Sequence, residues 1–295
     1  MTFRIRMARQ EGEKTADRFG FNAFPIDPFA IAKREEIDIS ARPPDVEGVS
    51  GGIVLANDCV FIFYATNIPS VGFQRFTVAH ELGHYFLPGH LDHIEQKTAG
   101  HHASRAGFRQ GADPIEIEAD HFASGLLLPT TLVRGVLNSA TIGLEGIQSL
   151  SEQAECSMTA SAIRAAECAE HPMAVIMSQG GQVCYGFMSD SFKVLRPGGF
   201  LRKGNPLPRS LTSTLNADSD RVLDGDRDCG QTDMADWFGG RSLALDEEVL
   251  GLGRYGYTLT VLSSEALCTD PDDEQEDDED STLVDKWTPR FAYGR

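Results

Sequence analysis

Residues 75–86 read RFTVAHELGHYF, and the chemistry in this stretch is carried by His80, Glu81 and His84. On a helix, His80 and His84 project from one face a turn apart, where two imidazoles can meet one tetrahedral zinc ion. Glu81 sits about 100° further around the axis. From there its carboxylate reaches a water on the metal rather than the metal itself, the placing that H-E-x-x-H enzymes give their general base.

Two histidines leave a hydrolytic zinc one protein ligand short, since such sites take three protein groups and keep a fourth position open. The segment EIEADHFASGLLLP, residues 116–129, can supply it. Glu116 and Asp120 are four apart and share a helical face, so Glu116 can ligate while Asp120 accepts the second ring N–H of His80. Glu118 competes as the third ligand, but it lies roughly 200° around the helix from Glu116 and would leave Asp120 facing away. The preferred set is therefore His80, His84 and Glu116 on the metal, Glu81 as base and Asp120 behind His80. A donor for the developing oxyanion is also needed. Tyr85, His90, His93, His101, His102, Arg105 and Arg109 are all candidates, and the sequence does not choose among them. Histidines 90, 93, 101 and 102 fall in a polar stretch without fixed spacing and read as exposed, while His121 reads as a packing or supporting residue.

The elements that must hold these groups follow from turn and cap signals. Phe76, Ala79, Leu82 and Phe86 recur at helical spacing over 74–86, and Pro88 and Gly89 end that helix. Asp113 and Pro114 start the next helix and Pro129 stops it. Between them, residues 90–112 read as a surface loop. Upstream, Asp27 and Pro28 open a short helix, and GGIVLA and CVFIFYA form a hairpin about Asn57 and Asp58. An unpaired edge on the strand at 60–67 would suit an extended peptide. Residues 144–169 suggest two short helices broken near 155–157 and capped by Ser157 or Thr159. Further on, MAVIMSQGGQVCYGFM reads as strand, turn, strand, RYGYTLTVLS as a strand, and LRPGGFLRKGNPLPRS as a loop.

Composition sets the outer bounds. With 295 residues, 41% of them hydrophobic, the chain can bury a sizeable core and form more than one unit. The six cysteines form no C-x-x-C pair, which argues against a disulfide framework or a cysteine zinc site. Neither a secretory signal nor a membrane span is visible, and the expectation is a cytoplasmic protein. A net charge of −18 argues against DNA binding, and the helix pair at 145–168 carries Glu152, Glu155 and Glu167 against Arg164 alone. Part of the charge is the acidic run PDDEQEDDED at 271–280, which reads as a solvated tail.

HELGHYFLPGH, followed by E-x-E-A-D-x-F-A-x-x-L-L-x-P, resembles the ImmA/IrrE family of bacterial zinc metallopeptidases over about residues 10–170. Leu128 stands before Pro129 where the family pattern leads one to expect methionine. The resemblance implies zinc ligands at His80, His84 and Glu116 and the catalytic glutamate at Glu81. It also implies a gluzincin-like endopeptidase that cleaves a helix-turn-helix transcriptional repressor after stress or a mobile-element signal. The expected fold is α+β. Residues 1–135 form a metallopeptidase domain with zinc-binding helices and a small sheet, 136–171 a helix-turn-helix-like segment, 172–266 a β-rich domain that could sense a small-molecule or protein activator, and 267–295 an acidic tail. The rival reading is a non-proteolytic regulator or interaction module with a structural metal site, which would have no use for Glu81.

Overall fold

The computed structural model describes residues 2–44, 49–56, 59–98, 100–104 and 113–264. These divide into two compact units: the chain up to Leu132 with Leu150–Ala160, and Val133–Ser149 with the chain from Ser161 onward.

The first unit runs α1 (Thr2–Arg18), α2 (Pro28–Arg34), β1 (Asp38–Arg42), β2 (Gly51–Ala56), β3 (Cys59–Ala65), α3 (Val71–Phe86), α4 (His90–Thr98), β4 (His101–Ser104) and α5 (Pro114–Leu127). Helix α2 starts as its sequence requires, with the Asp27 carboxylate accepting the Phe29 N–H at 2.9 Å and proline in the first turn. Strands β2 and β3 pair as the expected antiparallel hairpin, whose turn at Asn57 and Asp58 lies outside the described residues. The sheet order is β1-β3-β2-β4, with β1 parallel to β3. This corrects the expectation of a free edge on β3. Residues 38–42, which carry no strong strand signal, pair with it, so the edges of the sheet are β1 and β4.

Residues 90–112 are not one loop. Their first part forms α4, and 101–104 form β4, which pairs with β2 so that His102 lies opposite Ile53. Periodicity missed both because α4 buries only His90 and Ile94, and a four-residue strand is too short to alternate legibly.

Helix α3 is capped by Ser70, whose hydroxyl accepts the Phe73 N–H at 3.3 Å, and it buries Val78, Ala79 and Leu82. Helix α5 is opened by Asp113 and Pro114 and buries Ala119, Phe122 and Leu126. The two meet backbone to side at Gly83, where an added Cβ would stand 3.0 Å from the Ala119 Cα. The unexpected helix α1 covers the other side of α5. Its buried residues Ala8, Gly12 and Ala16 recur every four positions, a stripe too small to show as a hydrophobic face but suited to close contact. A Cβ at Gly12 would lie 2.2 Å from the Phe122 carbonyl oxygen, and one at Gly125 2.1 Å from that of Arg9.

Helices α6 (Thr130–Ser139), α7 (Leu144–Ala154) and α8 (Met158–Cys168) follow. The break between α7 and α8 falls where expected. Glu155 adopts φ 51° and the Ser157 hydroxyl accepts the Ala160 N–H at 3.2 Å. Beside this turn the buried Arg75 guanidinium meets Glu155 at 2.9 Å and donates to the Ile26 carbonyl.

The second unit carries β5 (Met173–Gln179), β6 (Gln182–Met188), α9 (Asp190–Val194), α10 (Leu211–Asn216), α11 (Ser219–Asp224), β7 (Arg227–Asp233), α12 (Met234–Phe238), β8 (Ala244–Gly251) and β9 (Thr258–Ser263). Its antiparallel sheet has the order β6-β5-β9-β8-β7. The β5–β6 hairpin and β9 match the sequence reading, and 195–210 is irregular as expected. One face of the sheet packs Ile176 and Leu262 against Phe192, Met234 and Trp237. Fully burying side chains of this size is worth about 1.5–3 kcal/mol each. No described helix is long and apolar enough to cross a membrane. The acidic run at 271–280 and Cys268 lie outside the described residues.

Two outcomes follow from this packing. Gly125→Ala drives a methyl into the α1 backbone, and the overpacking cost of about 1–3 kcal/mol outweighs a gain of about 1 kcal/mol in helix propensity. Its urea midpoint should fall. A midpoint at or above that of the wild type would mean that α1 does not close on α5 in this way. Burial pushes the Cys156 thiol up to about 12, so it stays protonated at pH 8, whereas Cys59 and Cys229 are exposed. Iodoacetamide at pH 8, read by peptide mass, should label Cys59 and Cys229 and spare Cys156.

Candidate metal centre

His80 and His84 stand on the inner face of α3 and Glu116 on the facing side of α5, with one ligand atom from each lying within 4.8 Å of the others. Among the described residues, this is the group of His, Cys, Asp and Glu side chains placed to hold a metal ion. The His80 and His84 Nε2 atoms are 3.2 Å apart. Glu116 Oε1 is 3.2 Å from His84 Nε2, and its Oε2 is 3.5 Å from His80 Nε2.

The opposite side of each ring fixes which nitrogen faces inward. His80 Nδ1 lies 2.8 Å from Asp120 Oδ1, and since a carboxylate accepts, Nδ1 carries the hydrogen. Asp120 thus stands where the sequence reading put it, one turn beyond Glu116. His84 Nδ1 meets His90 Nδ1 at 3.1 Å, and His90 Nε2 meets Glu118 Oε2 at 3.3 Å. With each Nδ1 so engaged, two Nε2 lone pairs and a carboxylate oxygen converge on one point. Such an arrangement is repulsive unless a positive charge, a proton or a metal cation, lies between them. The donor set of two imidazoles and one carboxylate fits zinc.

The local field has the same sign. Burial works to lower the His80 imidazole, yet the charge and hydrogen bond of Asp120, with Glu116, outweigh it and hold His80 well above its usual value. Burial holds His84 neutral, down to about 3. For Glu116, burial acts to raise the carboxyl, but the surrounding imidazoles, His102 foremost, keep it well below the usual carboxylate range.

Glu81 is fully buried and its carboxylate lies towards β2, where an added Cβ on Gly51 would come within 3.3 Å of Oε1. That glycine leaves the room this side chain occupies.

Two residues that the sequence reading placed on the surface belong to the cluster instead. His90 is buried, because Pro88 and Gly89, the latter at φ +81°, turn the chain back so that α4 begins beside α3. His102, carried in by the pairing of β4 with β2, has its Nε2 2.9 Å from Glu116 Oε1. The contact is out of line for a ring N–H, so the two buried atoms are close without a hydrogen bond. Only the tight turn at Pro88 and Gly89 could have signalled His90, and nothing local signals His102.

The other candidates lie elsewhere. Tyr85 donates to Glu35 at 3.2 Å, His93 meets Asp113 at 3.2 Å and His101 is exposed. His121 is buried against α1, with its Nδ1 3.0 Å from Arg9 Nη2. Arg105 and Arg109 lie outside the described residues. Glu118, the competing ligand, turns to His90 and Arg4 rather than to His80 and His84.

Among solved structures, a Mycobacterium tuberculosis transcriptional regulator is similar, at a TM-score of 0.52 and 15% sequence identity, over 90% of this chain and 77% of that one. At that identity the likeness is one of fold. No curated protein matches the chain. A family model described as Peptidase_M78, the IrrE N-terminal-like domain, matches residues 36–164. That span holds the H-E-x-x-H helix, the strand bearing His102 and the helix bearing Glu116, so the similarity to the IrrE N-terminal-like domain takes in every residue of the cluster.

Proposed function

We propose that this chain is a zinc-dependent endopeptidase whose substrate is a helix-turn-helix transcriptional repressor, so that cleavage relieves repression. The observation that carries the peptidase reading is the convergence of His80, His84 and Glu116 with Glu81 on the next position of the same helix. The M78 domain supports the reaction class. The regulatory setting draws support from the sequence resemblance and from a similar fold that is called a transcriptional regulator.

In this reading His80, His84 and Glu116 hold the ion and Asp120 fixes His80 by its hydrogen bond. Zinc there would supply Lewis acidity, acidifying a water and steadying negative charge on the scissile carbonyl oxygen. Glu81 takes a proton from the attacking water as its oxygen bonds to the carbonyl carbon. It then delivers that proton to the amine nitrogen as the C–N bond breaks. The burial of Glu81 keeps bulk water from competing for the proton. In this reading His102, whose Nε2 lies 2.9 Å from Glu116 Oε1, donates to the oxyanion.

The non-proteolytic alternative parts from this reading at Glu81. The test is incubation of the zinc-loaded protein, and of Glu81→Gln, with the helix-turn-helix repressors encoded beside it, read by intact mass. The wild type should cut one of them, chelation should stop it, and Glu81→Gln should bind zinc yet cleave about 10²–10⁴-fold more slowly. Equal cleavage by Glu81→Gln would sink the mechanism, and zinc binding without cleavage of any repressor would favour the regulator.

A further inference from the structure

We infer that His90 and Glu118 form a two-step positioning relay for His84, the counterpart of the single step by which Asp120 positions His80. This rests on the metal-site reading above and extends it to residues outside the ligand set.

For His84 to present its Nε2 lone pair to the cluster, its ring hydrogen must be on Nδ1. Nδ1 is 3.1 Å from His90 Nδ1 in a wholly buried setting, so His90 must accept there. An imidazole that accepts at Nδ1 carries its own hydrogen on Nε2. That nitrogen faces Glu118 Oε2 at 3.3 Å, and a carboxylate can only accept. Each tautomer thus dictates the next, and Glu118 selects the ligand nitrogen of a histidine that it does not touch.

The chain is built to deliver this contact. Leu87 leaves α3 in an extended conformation, and Gly89 at φ +81° reverses the path so that His90 begins α4 against the outer edge of His84. Glu118 reaches His90 because it lies on a different side of α5 from Glu116 and Asp120, which face α3. All three acids of the E-x-E-x-D segment then act on one centre. Glu116 binds the ion, Asp120 steadies one histidine, and Glu118 steadies the other through His90. Carboxylates behind ligand histidines orient the ring and raise its basicity, and losing them typically costs 10–100-fold in metal affinity.

The test uses the full chain, stripped by a chelator and titrated with zinc against a chromophoric competitor. Cobalt(II) loading adds the visible absorption of the centre as a second readout. His90→Ala and Glu118→Ala should each weaken zinc by about 10–100-fold and shift the cobalt bands. Because Glu118 acts only through His90, the double variant should bind no more weakly than His90→Ala, whereas adding Asp120→Ala should cost a further factor. His90→Asn, whose Oδ1 falls where Nδ1 stood, should recover most of the affinity and become indifferent to Glu118→Ala. A structural role alone would lower thermal stability and leave the cobalt spectrum and this coupling unmoved. Wild-type zinc affinity in both single variants, or additive losses in the double, would overturn the relay and leave the metal site standing. Failure of the wild type to take up zinc at all would overturn both.

Discussion

The backbone approach of α3 to α5 at Gly83 and Ala119 is the constraint on which the site depends. His80 and His84 lie three residues before and one after Gly83, while Glu116 and Asp120 hold the same offsets from Ala119. A contact between these two small residues therefore sets the two histidines of α3 face to face with the two carboxylates of α5, one turn apart on each helix. A larger residue at 83 would part the helices and lengthen each His–carboxylate distance together. The close packing of α1 against the far side of α5, through Gly12 and Gly125, braces the same helix from behind.

Electrostatics makes this arrangement costly unless it is answered. Glu116, Glu118 and Asp120 bring three carboxylates to alternate positions of one largely buried helix, and desolvating uncompensated charges costs several kcal/mol each. The start of α5 offsets part of this, since Glu116 lies in its first turn where the helix dipole favours an anion. The larger offset is the ring of histidines, each carboxylate meeting at least one: Glu116 meets His80, His84 and His102, Asp120 meets His80, and Glu118 meets His90. The field that raises the proton affinity of His80 is the field that would hold a divalent cation in its place.

What could be read in the sequence was whatever local spacing determines. The His80–Glu81–His84 helix, the Glu116–Asp120 face, the Asp27 and Asp113 caps, the β2–β3 and β5–β6 hairpins and the break at 155–157 are all set by neighbours within a few residues. What could not be read depends on partners far along the chain. Helix α1 was hidden because its buried stripe is Ala8, Gly12 and Ala16, residues that score as unremarkable until α5 lies against them. Strand β1 became a strand only by pairing with β3, and β7 and β8 only within the second sheet. The histidines were misjudged for the same reason. A polar composition is a sound guide to exposure only where no ionised partner waits inside, and Glu118 and Glu116 wait for His90 and His102.

The second unit supplies a contrast that sharpens the reading of the first. Glu247 is also wholly buried, yet its Oε1 accepts from the Thr212 N–H at 2.9 Å and the Thr212 hydroxyl at 2.7 Å, and its Oε2 from the Leu211 N–H at 3.3 Å. Its oxygens face donors supplied by the first turn of α10. Glu116 is surrounded instead by imidazole nitrogens, and its Oε1 makes no hydrogen bond although two of them lie within 3.2 Å. A buried carboxylate that completes a fold collects hydrogens, whereas one that serves a cation collects other lone pairs. Glu247, wholly buried, faces protein donors, whereas Glu116, whose side chain is 24% exposed, faces imidazole nitrogens.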